Sequence, residues 1–318
     1  MIYIYRLNYT LPKSSHMLYT CRVKNCLIIS LFFFTGFYFS GCRKLVETEN
    51  QNFTPAPVIN SMIKAGEPLT VHVSIATKFN EKEITGIDNA LVDLYADDEF
   101  IEQLAFSGNG IYVSETTAEP LKKYEYRVSI PGFSEAVCNA IIPAETSISE
   151  IEHITVAGKD TEGTTYPALK FTFHSIPSKE QYFEARIRLF QYESEYNAEI
   201  INIVDPVLLN EGLPLTVFSN DLITDTTYTM TINYITGSSS SSGGSYYTNL
   251  YPFILEIRSV SKDYYLFVRQ KYLYDTGRFP EFGLSTNTAF PLYSNVENGY
   301  GIFMGYSAVV SDTIYPSY

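Results

Sequence analysis

Leu69-Thr70-Val71-His72-Val73-Ser74-Ile75 decides the fold class. Leu69, Val71, Val73 and Ile75 fall on one side and Thr70, His72 and Ser74 on the other. A period of two puts one face of a strand into a core and leaves the other wet. The stretch before it, Val58-Ile59-Asn60-Ser61-Met62-Ile63, is joined by a Gly66-Glu67-Pro68 turn. Downstream come Ala90 to Tyr95, Phe100 to Phe106, a Gly108-Asn109-Gly110 turn, Ile111 to Val113, and Tyr124 to Ile130. Short strands every 8–12 residues with turn residues between them mark a β-sandwich.

A second unit begins near Ile148 with the same rhythm. Leu169 to His174 alternates, Tyr182 to Gln191 is another strand, and Tyr228–Ile235 and Tyr251–Ile257 read as partners joined by the Gly237–Ser245 loop. One helix is expected near 261–274. Ser261 suits its N-cap, Asp263 its first turn, and Tyr265, Val268 and Tyr272 recur at helical spacing. It is expected to plug one end of the second sandwich. The fold class is therefore mainly β: two tandem β-sandwich domains, immunoglobulin-like or transthyretin-like, at 57–145 and 146–318, with one short helix in the second.

The chain's beginning supplies an address. Cys26 to Phe39 is a 14-residue apolar run, preceded by Arg22 and Lys24, and no acidic residue occurs in 1–41. Fourteen helical residues rise only ~21 Å, short of the ~30 Å hydrocarbon layer. Basic start, apolar middle and small residues before a cut make a secretory signal peptide over 1–41. Phe39-Ser40-Gly41-Cys42 resembles a bacterial lipobox. That resemblance implies cleavage before Cys42 and lipid on its thiol and new amino group. Met17 offers an alternative start to Met1. Residues 42–56 are polar and aperiodic, a flexible tether reaching roughly 20 Å.

Charge and cysteine use narrow the function classes. The chain carries 22 Lys+Arg against 35 Asp+Glu, and removal of 1–41 leaves 18 against 35, a net −17. No nucleic acid is expected as a partner, because its binding rests on basic residues. Attachment to a membrane is expected through lipid on Cys42 rather than through charge. Cys138 is left without a disulfide partner and sits in a strand pattern, as a buried inert thiol.

No catalytic site is legible. His72, His153 and His174 lie far apart, and none has a His, Cys or carboxylate at a metal-ligand spacing. No nucleophile elbow and no phosphate-cradling loop occur. Asp97/Asp98 and Asp221/Asp225 are the acidic clusters that calcium could use, but neither matches a regular calcium loop. No metal, no cofactor and no catalytic residue is assigned.

Several segments recur together in one known pattern. They are Phe171-x-Phe173-x-x-x-Pro177-x-x-x-x-Tyr182-Phe183, then Ser219-Asn220-Asp221, then Tyr264-Tyr265, then Tyr293-Ser294-Asn295-Val296-Glu297-Asn298-Gly299-Tyr300-Gly301-Ile302-Phe303. In that order they resemble the Bacteroidota lipoprotein family called Domain of Unknown Function 4249, from residue 42 to the end. The chain departs from the pattern at Ser175, where Asp is expected, and at Tyr300, where a smaller apolar residue is usual. Both read as surface or loop positions. The resemblance implies an outer-membrane lipoprotein, of a kind often encoded beside TonB-dependent transporters, with no established activity to carry over. Asn295, Asn298, Gly299 and Gly301 form a tight turn, because Gly and Asn tolerate positive φ. That turn is either a binding loop or a conformational device that orients the last strand.

The expected function is accordingly a non-catalytic, lipid-anchored envelope protein, accessory to a TonB-dependent β-barrel transporter, that binds a nutrient or a partner. The alternatives are a structural or adhesive surface protein without a small ligand, and a glycan- or peptide-directed hydrolase.

Overall fold

A computed structural model describes residues 54–78, 86–277 and 292–317. Within it Thr54–Tyr318 forms one compact unit. The signal segment, Phe39, Ser40, Gly41, Cys42, both starts and all of the tether before Thr54 lie outside the described residues.

The deciding stretch follows its alternation from Leu69 to Val73, while Ser74 on the other face is buried and Ile75 only half-buried. Pro68–Ile75 is a strand with Leu69, Val71 and Val73 buried and His72 half-buried on the other face. It pairs antiparallel with Pro57–Lys64 and with Ile111–Thr117. Three sheets carry the architecture. The largest has nine strands, eight of them in the spatial order Ser194–Asn197, Tyr182–Gln191, Phe253–Val260, Tyr300–Val310, Pro57–Lys64, Pro68–Ile75, Ile111–Thr117, Ala105–Gly108. Val217–Ser219 is its ninth, on Tyr182–Gln191. A five-stranded sheet runs Val296–Glu297, Ala136–Ile141, Lys123–Ser129, Leu91–Ala96, Glu99–Gln103. A six-stranded sheet is built around Thr164–His174 and Thr227–Ile235.

Each smaller sheet covers one half of the large one, so there are two apolar cores. The first packs Ile59, Val71, Val92, Tyr126 and Phe303. The second packs Phe171, Phe183, Phe218, Met230 and Leu255. Sequence position 145 separates neither the sheets nor the cores, because Val296 and Phe303 from the far side of it belong to the first core. Tyr300–Val310 returns to pair in parallel with Pro57–Lys64, from Val58↔Tyr300 to Lys64↔Tyr306. Its Phe303 stacks on Tyr126 with ring centroids 4.5 Å apart. Such an aromatic pair adds about 0.5–1.5 kcal/mol beyond the area it buries. The end of the chain thus completes the sandwich that its beginning starts.

Three expectations need correcting. Thr227–Ile235 and Phe253–Val260 are not partners. The first pairs with Thr164–His174 and the second with Tyr182–Gln191 and Tyr300–Val310. The Gly/Ser-rich stretch between them is itself a hairpin, Ser239–Ser242 with Ser245–Thr248, turning on Gly243 and Gly244 at φ 58° and 80°. Positive φ at both turn positions matches the twist of the flanking strands. The expected helix is present as α2, Lys262–Gly277, after a short α1, Pro206–Asn210, which went unforeseen. α1 starts where Asp205 Oδ1 accepts from the Val207 amide at 3.0 Å, with Pro at its first turn. α2 does not plug a sandwich end. It lies on the outer face of the nine-stranded sheet, where Tyr264, Tyr265, Phe267 and Val268 meet Tyr182, Ile302, Met304 and Tyr306. No helix among the described residues is long and apolar enough to cross a membrane.

Candidate functional site: a cleft between the two cores

A cleft of about 370 Å³ opens between the two halves. Three walls form it. The first is the turn at Leu121 with the segment Asn139–Ala144. Leu121 adopts φ 66° and its amide donates to Ile142 O at 2.7 Å, while Ser307 Oγ donates to Pro143 O at 2.6 Å. The second wall is the loop Ile176–Tyr182. Asn220, only 5 % exposed, holds it in shape: Nδ2 donates to Ile176 O, Lys179 O and Ser175 Oγ, and Oδ1 accepts from the Gln181 amide at 2.9 Å. Gln181 Oε1 in turn accepts from the Ile176 amide at 2.6 Å. The third wall is the exit from Phe253–Val260 into α2. Ser261 caps the helix, its Oγ accepting from the Tyr264 amide at 3.2 Å.

Ser175 lies in the loop after Thr164–His174, but fully buried inside this knot, and Tyr300 is 58 % exposed, so each meets the expectation of a surface or loop position. The shared-motif segments 171–183, 219–221 and 264–265 therefore meet around one wall. Periodicity carries no such signal, because a buried Asn that ties two loops together leaves no repeat.

At the cleft mouth Lys262 and Glu180 form an ion pair, and Asp263 is held by a tyrosine hydroxyl. Tyr182 OH donates to Glu180 Oε1, and Lys262 Nζ donates to the same oxygen at 3.1 Å. The Tyr182 hydrogen bond, with Lys262 second, holds the Glu180 carboxyl below its ordinary range. Burial, and then Glu180, pushes the Tyr182 hydroxyl well up. Across the mouth Tyr293 OH donates to Asp263 Oδ1 at 2.7 Å, and burial followed by that bond raises Tyr293 to about 12.

Behind the cleft, buried polar groups fasten α2 to the sheet. Glu211, 7 % exposed, accepts from the Ser219 amide at 2.7 Å, Tyr265 OH at 2.6 Å and Arg269 Nη1 at 2.6 Å. Arg258 lies 4.4 Å over the Tyr306 ring, with Nε donating to Glu256 at 2.8 Å and Nη1 to Tyr264 OH at 3.1 Å. Tyr264 OH passes the chain on to Glu184 at 2.7 Å. A buried charge is tolerated when paired and hydrogen-bonded in this way. Glu184, Glu211, Glu256, Arg258 and Arg269 went unnoticed in the sequence, where only the alternation Glu256-x-Arg258 hinted at a paired face.

The turn Asn295–Gly301 is spent on joining the chain's two ends. Asn295 Oδ1 accepts from the Phe303 amide at 2.8 Å, and its Nδ2 donates to Phe303 O at 2.7 Å and to Asn139 O at 3.2 Å. Asn298, at φ 56°, donates to Glu135 O at 3.0 Å. A Cβ on Gly299 would stand 2.7 Å from Pro57 O, and one on Gly301 only 1.9 Å from Ile59 O. Both glycines let the last strand lie against the first.

Among the remaining singled-out residues, Asp97, Asp98 and His153 have partners of their own. Asp97 and Asp98, at φ 49° and 69°, make a two-residue hairpin turn and accept from the Lys123 amide and Nζ. Asp221 and Asp225 are not brought into a ligand set: among the described residues no group of three His, Cys, Asp or Glu side chains is placed to hold a metal. His153 is in hydrogen-bond contact with Tyr234 OH at 3.0 Å, and burial lowers its pKa. His174 is exposed. Cys138 is 1 % exposed, and burial pushes its thiol well up.

The family model described as Domain of unknown function (DUF4249) matches residues 44–311. No curated protein matches the chain. Among solved structures, a protein from Corynebacterium diphtheriae described as membrane anchored aligns at 7% identity over 65% of this chain, with a TM-score of 0.20. The alignment covers 54% of that protein, so the chain spans about half its length. Such a likeness carries no argument about fold or function.

Proposed function

We propose that this chain, which belongs to the DUF4249 family, is a non-catalytic envelope lipoprotein that offers its inter-core cleft to a ligand or partner. Signal cleavage after Phe39-Ser40-Gly41 leaves lipid on Cys42, and residues 42–56 tether the folded unit to the outer membrane. The partner is a TonB-dependent β-barrel transporter. The observation that supports binding over catalysis is the cleft itself: its surface is largely apolar, and its mouth carries the Lys262–Glu180 ion pair and a tyrosine-bound Asp263 rather than a nucleophile beside a base.

Two measurements test the reading. Mass spectrometry of the protein from its native membrane should find an acylated Cys42 as first residue; an unmodified thiol there refutes the anchor. Mild crosslinking in detergent-solubilised outer membranes should recover a β-barrel partner, and crosslinks should disappear when Ile141, on the cleft wall, is replaced by Trp. Recovery of no barrel would leave the adhesive alternative in its place.

A further inference from the structure

We infer that the cleft takes a small apolar zwitterion, an apolar dipeptide with both termini free; this rests on reading the cleft as a binding site. Four features on its walls converge on that chemistry. Its surface is largely apolar, with Leu121 and Ile141 lining it while 73% and 55% exposed. Apolar side chains left in water at a concave site suit an apolar body. The volume, about 370 Å³, sits at the small end of ligand pockets, which run ~300–1,000 Å³.

One end of the cleft carries donors without partners. Lys262 and Asp263 are the first two residues of α2 and line the cleft; Ser261 Oγ serves Tyr264, so their own amides have no intrahelical partner. Ser259 lies beside them, 3 % exposed, and its Oγ has no hydrogen-bond partner. It is paired across the sheet with Ser307 and so shares that residue's face, from which Ser307 Oγ reaches Pro143 O on the opposite wall. Two amides and a hydroxyl at a helix start are suited to a carboxylate.

The mouth carries both signs. Lys179, Lys262, Glu180 and Asp263 all line it, so its formal charge is zero. A plain anion meets Glu180 and Asp263, and a plain cation meets Lys179 and Lys262. A zwitterion meets each sign with its opposite. Glu180 has accepting capacity left beyond Tyr182 and Lys262, since a carboxylate offers about four lone-pair sites.

Calorimetric titration of the folded protein with Leu-Leu, its N-acetyl form and its C-terminal amide is the test. Leu-Leu should bind, and either cap should weaken it roughly tenfold or more, the loss expected for one charge-assisted contact. Ser259→Ala should weaken Leu-Leu by a few-fold to about tenfold. Ile141→Trp, which fills the cleft from an exposed strand position, should abolish binding, while Ile111→Trp, away from it, should leave binding unchanged. If the capped forms bind as well as the free one, the zwitterion assignment is wrong although the cleft still binds. If no form binds, or if Ile141→Trp is without effect, the dipeptide assignment is overturned. The barrel crosslink then stands or falls separately.

Discussion

Gly301→Ala should break the seam that joins the two ends of the chain. The wild-type backbone has φ +117° there, and an added Cβ would lie 1.9 Å from Ile59 O, 2.7 Å from Ile59 C and 2.9 Å from Ile59 N. No side-chain movement relieves a contact with backbone. The strained φ alone costs about 1–3 kcal/mol. Relieving the clash requires Tyr300–Val310 to move off Pro57–Lys64, with which it makes seven register pairs. It would also disturb the Tyr126–Phe303 stack. Together these put the destabilisation at roughly 3–5 kcal/mol, the range reached only by a short list of mechanisms. At ~2–4 °C per kcal/mol for a body of this size, the melting temperature should fall by about 6–20 °C. Gly132→Ala is the internal control. Gly132 has φ +88° but nothing within 4 Å of its would-be Cβ, so it should lose only the ~1–3 kcal/mol of strain. Urea unfolding followed by fluorescence reads both. If Gly301→Ala costs no more than Gly132→Ala, the close approach of the two strands is not what the glycine is for.

Other perturbations probe the groups behind the cleft. Arg269→Ala removes a partner from buried Glu211, and urea midpoints should report a loss of about 3–5 kcal/mol, largely recovered when Glu211→Gln is added. Asn220→Ala unties the Ile176–Tyr182 loop; a stability loss near 1–3 kcal/mol, with faster amide exchange at Gln181, is the expected outcome. Cys138 should resist a thiol reagent in the native state and react only on unfolding, since it is buried and its thiol is pushed up. Glu180 should titrate below the usual ~4.3 for glutamate, and Tyr182→Phe should move it upward. Because its folded value is the lower one, whatever stability the carboxylate adds is present above the unfolded value. That contribution disappears as pH falls through the folded value, so the Tyr182→Phe and parent proteins should converge in acid.

The sequence alone determined the strand class, most of the strands and the start of α2. Those depend on near neighbours: alternation places Leu69, Val71 and Val73 on one face, and a serine caps the helix that follows it. It also exposed Asn298 and Gly301 as positive-φ positions of a tight turn, because residue type limits φ locally. Only the tertiary structure decided what that turn joins. Pro57–Lys64 and Tyr300–Val310 are separated by more than two hundred residues, and each has an apolar face that several other strands would satisfy. The same holds for the cleft. Leu121, Asn139, Lys179, Ser259 and Lys262 look like ordinary turn, strand and helix residues, and they become one surface only when two cores share a sheet. Period and propensity act over a few residues, whereas the pairing that creates a cleft is chosen by the packing of the whole chain.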